Sequence, residues 1–79
     1  MTITSAQVKA ARELLGWTRW HLAKQAGVSL TTVRDFELGL RTVGESLVAA
    51  MQRALEDAGI EFTNGGQPGV KLRKGGQTR

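Results

Sequence analysis

The sequence predicts a mainly α fold: a small helical bundle over residues 1–59, a C-terminal β-hairpin over 60–73 and a flexible basic tail over 74–79. Three observations predict it. Between Leu14 and Glu37 two short helical patterns flank a tight turn at Ala26-Gly27-Val28, and each begins with its own cap. On either side of them apolar residues recur at helical spacing. Beyond Gly59 the apolar period shortens to two.

The first helix begins at Thr4. Thr4 to Gln7 reads as a capping box and Ile3 with Val8 as a hydrophobic staple, while Val8, Ala11, Leu14 and Leu15 give one face to the core. The second helix, Arg19 to Ala26, takes Thr18 as N-cap and Trp17 with Leu22 as staple. It is expected to bury Leu22, Ala23 and Ala26 and to leave Arg19, Trp20, His21, Lys24 and Gln25 outside. Gly27 can supply the left-handed conformation that ends it, so that the third helix leaves at a steep angle. That helix, Leu30 to Glu37, is capped by Ser29, stapled by Val28 with Val33, and buries Val33 and Phe36.

Gly39 suits the stop after the third helix. The fourth has two candidate starts: Thr42 to Glu45 reads as a capping box, whereas Gly44 as cap gives a Val43–Val48 staple. Its core stripe is Leu47, Val48, Met51 and Leu55, and it ends near Gly59. Ile60 and Phe62 then alternate with Glu61, and Val70 and Leu72 with Lys71, across the turn-rich TNGGQPG. An isolated hairpin is marginal in water, so its apolar face should lie on the helices or on a second copy of the chain.

The 79 residues allow one domain, which at this size buries only about 60 to 65% of its unfolded surface and leaves little room for an enclosed catalytic pocket. There is no Cys, hence no disulfide framework or thiolate metal site. The stretch MTITSAQVKAARELLGW has no long apolar run, so neither a signal peptide nor a membrane span is expected there, and a cytoplasmic location is. The net charge of +4 is unevenly spread: residues 1–43 hold six basic and three acidic side chains, 44–62 one and four, 63–79 four and none. The two basic parts fit a polyanion, since each Lys or Arg set on a phosphate releases condensed counterions; a small protein also needs surface charge for solubility.

The runs Gly16-Trp17-Thr18-Arg19-Trp20-His21-Leu22-Ala23, Ala26-Gly27-Val28-Ser29 and Thr32-Val33-Arg34-Asp35-Phe36-Glu37 resemble the DNA-binding domain of phage-repressor and Cro/Xre-type regulators. The resemblance covers roughly Val8 to Leu55 and rests on several spaced positions at once. It implies a lambda-repressor-like helical bundle whose third helix enters the major groove of double-stranded DNA. Leu30, Thr31, Thr32, Arg34 and Asp35 fall where relatives meet base edges. Leu30 and Thr31 suit thymine methyls, Thr31 or Thr32 a hydrogen bond, Arg34 guanine or phosphate, and Asp35 a cytosine amino group. Leu30, Thr31, Arg34 and Asp35 are expected to face outward.

Phosphate contacts are implied for Thr18, Arg19, Trp20 and Arg41. Relatives usually have Gln where this chain has Arg19, so the glutamine's brace on the next helix is expected to be lost. Trp20 has two readings, one along the DNA backbone or a partner and one half-buried against Trp17 or the first helix. The resemblance also suggests an Arg12–Glu37 pairing that fixes the angle between first and third helices; if exposed, it contributes only about 0 to 1 kcal/mol.

Other chemistry finds little support. His21 is the only histidine and has no Cys or clustered carboxylate at ligand spacing, so no metal site is expected. No nucleophile has a base within readable reach, and TNGGQPG lacks the Lys-Ser/Thr of a phosphate loop. Neither an enzyme, a cofactor nor a small-molecule ligand is expected. Two functions remain open: a sequence-specific regulator, expected to be a dimeric repressor from a mobile element, and a protein-binding module on the same fold, such as an antiactivator or antitoxin component, using Trp20, Leu30 and Leu40. The acidic fourth helix and the hairpin are the expected dimer surface, with an intramolecular cover for the core as the alternative.

Overall fold

The computed structural model describes residues 3–63 and 69–73. Four helices, α1 (Ser5–Leu15), α2 (Arg19–Ala26), α3 (Leu30–Leu38) and α4 (Glu45–Asp57), precede a two-stranded antiparallel sheet of β1 (Ile60–Thr63) and β2 (Gly69–Leu72). The helical starts follow the local chemistry. Thr4 Oγ1 accepts from Gln7 N–H at 3.1 Å while Gln7 Oε1 accepts from Thr4 N–H at 2.8 Å, a closed capping box. The α4 ambiguity resolves to Gly44, which makes no side-chain cap bond; Val43 and Val48 are buried as the staple requires.

A single core joins the helices and the hairpin. Val8 and Ala11 of α1, Leu22 of α2, Val33 of α3, and Met51 and Leu55 of α4 are fully buried, and Ile60 and Phe62 of β1 close the same cluster. The hairpin therefore covers its own helices, α4 through β1 and α1 through β2. Its register pairs Ile60 with Leu72 and Phe62 with Val70 on the inner face, and Glu61 with Lys71 on the outer. The centre of the predicted turn and the basic tail at 74–79 lie outside the described residues.

One core expectation is corrected. Leu14 is exposed, because it sits about a quarter-turn from the middle of the Val8–Ala11–Leu15 stripe on a helix of about 3.6 residues per turn. A polar side chain supplies the link that periodicity missed: buried Gln7 donates its carboxamide N–H groups to Thr63 O at 3.2 Å and Gly69 O at 3.0 Å, where β1 ends and β2 begins. Gln7→Ala removes this anchor together with half of the capping box, and is expected to lower the unfolding free energy by about 2 kcal/mol in a urea titration. An unchanged midpoint would mean that Ile60 and Phe62 alone hold the hairpin.

Candidate nucleic-acid interface

The helix-turn-helix is assembled by short-range hydrogen bonds. Thr18 Oγ1 accepts from His21 N–H and Ser29 Oγ from Thr32 N–H, each at 3.0 Å. Between them Gly27 takes φ 72° and ψ 31°, where a Cβ would be strained, and both Gly27 and Val28 N–H groups return to Ala23 O. The chain thus passes from α2 to α3 within three residues, and the two helices pack together with Leu22 and Val33 both in the core.

Glu37, at the end of α3, fixes the angle. Its side chain is fully enclosed and binds two arginines: Arg12 Nε and Nη2 donate to Oε2 and Oε1 at 2.8 and 3.0 Å, and Arg19 Nε donates to Oε1 at 3.0 Å. Arg12 Nη1 also donates to Trp17 O at 2.9 Å. Two expectations change here. The Arg12–Glu37 pair is buried, so the range for exposed pairs does not apply to it. The brace expected to be lost with glutamine is present, since Arg19 ties the start of α2 to the end of α3.

The outward face of α3 consists of Leu30, Thr31 and Arg34, all exposed. Thr32 and Asp35 do not share it. Thr32 is buried, its Oγ1 accepting from Ser29 Oγ at 2.8 Å and from Arg41 Nη2 at 3.2 Å. Asp35 is only 7% exposed, although it points away from the Val33–Phe36 face. Two arginines cover it: Arg34 Nη2 and Nε donate to Oδ1 at 2.8 and 3.2 Å, and Arg41 Nε to Oδ2 at 2.9 Å. Both carboxylate oxygens are committed, so Asp35 does not present the bare acceptor expected of a cytosine contact. The Arg34 hydrogen bond, then the Arg41 one, holds its carboxyl below the ordinary value of 3.8 against the opposing effect of burial.

Around this face, Thr18, Arg19 and Trp20 gather at the start of α2, and Arg41 lies in the loop after α3. Trp20 stays 57% exposed, with Lys24 Nζ 4.9 Å from its ring centroid, a cation–π contact. The half-buried reading thus fails for Trp20. It is His21 that meets Trp17, edge to face at 4.5 Å between centroids. The Arg41–Asp35 tie escaped sequence reasoning because it crosses a loop, and helical periodicity carries no information about which loop side chain folds back.

The comparison with protein families agrees with this geometry. A helix-turn-helix profile matches residues 8–56, from within α1 to near the end of α4. The chain belongs to the Xre/Cro-type helix-turn-helix family. A comparison with curated proteins gives no match. Xre/Cro-type domains are those of DNA-binding transcription regulators, and the four helices with their capped turn are arranged accordingly. Among the described residues no helix is long and apolar enough to cross a membrane.

Breaking a buried ion pair from one side costs about 3–5 kcal/mol. Arg12→Ala is expected at about the lower end, near 3 kcal/mol, because Arg19 remains on Glu37. Arg19→Gln, whose side chain is one-third exposed, should cost about 1 kcal/mol. Chemical denaturation of the two variants tests that order. Asp35 makes a pH-dependent contribution: with its folded value depressed, the stabilisation is complete above 3.8 and is lost as pH falls through the folded value. The melting temperature of the wild type should exceed that of Asp35→Asn near neutral pH, and the gap should close progressively below pH 3.8.

Proposed function

We propose that the chain is a sequence-specific transcriptional regulator, a dimeric repressor that occupies a palindromic promoter operator and sets α3 of each copy in successive turns of the major groove, about 34 Å apart. The observation that carries this reading is the exposed row Leu30, Thr31 and Arg34 on a helix braced at both ends by Ser29 and Glu37. Leu30 and Thr31 suit thymine methyls and Arg34 suits guanine, while Arg41, Arg19, Thr18 and Trp20 set the register on the backbone. Thr32 and Asp35 act from beneath this surface. A cytoplasmic location and an origin in a mobile element accompany the proposal.

The dimer surface in this proposal is α4 with the hairpin, where Glu45, Asp57 and Glu61 are exposed and Leu72, at the end of the inner face, leaves part of its apolar area uncovered. A second reading, a protein-binding module such as an antiactivator or an antitoxin component, is favoured by one observation. Trp20, Leu30 and Leu40 are 57%, 46% and 62% exposed, and large exposed apolar side chains mark contact surfaces.

Titration of the full chain against DNA from upstream of its own gene and against a scrambled duplex, at two salt concentrations, separates the readings. The regulator should prefer the native fragment by at least about a thousandfold. Arg34→Gln should abolish that preference, and Arg41→Gln should weaken binding to all duplexes and lower the salt slope by about 1. Equal, weak binding to both duplexes that vanishes with salt would favour the protein-binding reading. Sedimentation of the complex would give two copies per fragment if the dimer is right.

A further inference from the structure

Arg34 and Arg41 approach Asp35 from opposite sides. Neighbours one apart on a helix do not ordinarily face each other, yet Arg34 turns sideways to put Nη2 2.8 Å from Oδ1. Arg41, six residues on and outside the helix, reaches back to Oδ2 at 2.9 Å and to Thr32 Oγ1 at 3.2 Å. Thr32 Oγ1 in turn accepts from Ser29 Oγ. An unbroken chain of hydrogen bonds therefore runs from the N-cap of α3, through Thr32, Arg41 and Asp35, to Arg34. The carboxylate occupies the place that a phosphate oxygen would take between two guanidinium groups.

We infer that Asp35 is a positioning residue for DNA discrimination, holding Arg34 and Arg41 as one fixed pair and restraining both from unselective attachment to phosphate. This rests on the regulator reading above. Two unrestrained arginines on long side chains would each meet the nearest phosphate on any duplex, adding affinity that carries no sequence information. Bound to one carboxylate, they lose one unit of net charge as a group and keep a set separation. Random DNA then gains less from them than from two free arginines, whereas a site whose guanine and phosphate match that separation takes both with little further ordering. The carboxylate thus lowers affinity for DNA at large and spares it for the matching site.

The test is Asp35→Asn in the full chain, with three duplex titrations: a 20-base-pair random-sequence duplex, the fragment preferred by the wild type, and the random duplex over a salt series. The expected result is random-duplex binding about three- to tenfold tighter, a salt slope steeper by about 1, and a smaller ratio between the two duplexes. Arg34→Gln/Arg41→Gln supplies the control, because adding Asp35→Asn to that background removes only one repelling charge and should strengthen random-duplex binding by less than it does in the wild type. A merely structural Asp35 would instead weaken both duplexes and leave the ratio and slope alone, which would overturn the inference while the regulator reading stands. Strengthening of the same size in the double-arginine background would also overturn it. If the wild type binds neither duplex at low salt, the regulator reading falls and takes this inference with it.

Discussion

A carboxylate without solvent is costly unless its oxygens are met by opposite charge and hydrogen bonds, and Glu37 has no exposed side-chain surface. It satisfies that demand with Arg12 from α1 and Arg19 from α2. Each donor comes from a different helix, so the arrangement of three helices that serves the carboxylate is tightly limited. Apolar packing among Val8, Leu22 and Val33 favours compactness but tolerates rotation, because burial is non-directional. The ion triad converts that tolerance into one crossing geometry. The whole presentation of α3 depends on it.

The helices themselves are short enough to need such help. With 8, 9, 11 and 13 residues, they fall at or below the length at which isolated helices are marginal, so tertiary packing and caps must hold them. Thr4, Thr18 and Ser29 each satisfy an orphan N–H at the start of a helix. The strongest restraints converge on the α2–α3 pair, and the hairpin supplies apolar cover from the opposite end of the chain. Polar groups inside this small core are accounted for: among the described residues no buried side-chain N or O lacks a partner.

What could be read from the sequence follows interaction range. Caps, staples and the Gly27 and Gly39 stops are decided within five residues, and Thr4, Thr18, Ser29, Gly27 and Gly39 all behave as local chemistry dictates. The hairpin was legible from its alternation, and Ile60 and Phe62 face inward as that pattern requires. Arg12–Glu37 was accessible only through family likeness, since nothing local links positions 25 apart. Arg19's hold on Glu37 and the pair of arginines over Asp35 were not legible. Helical phase puts Asp35 away from the apolar stripe, and only the folded path of the following loop brings Arg41 over it. Periodicity sees burial by apolar residues and is blind to burial by charged ones.

The contacts of Gln7 join residues 56 and 62 positions apart, nearly the length of the described chain. Bringing such distant segments together carries a loop-closure cost that grows with the length of chain between them, and both segments meet at one side chain. Damage at either end is therefore shared. A chain shortened into α1 loses the seat of the hairpin, and one shortened before β1 exposes the flank of α1 and α4.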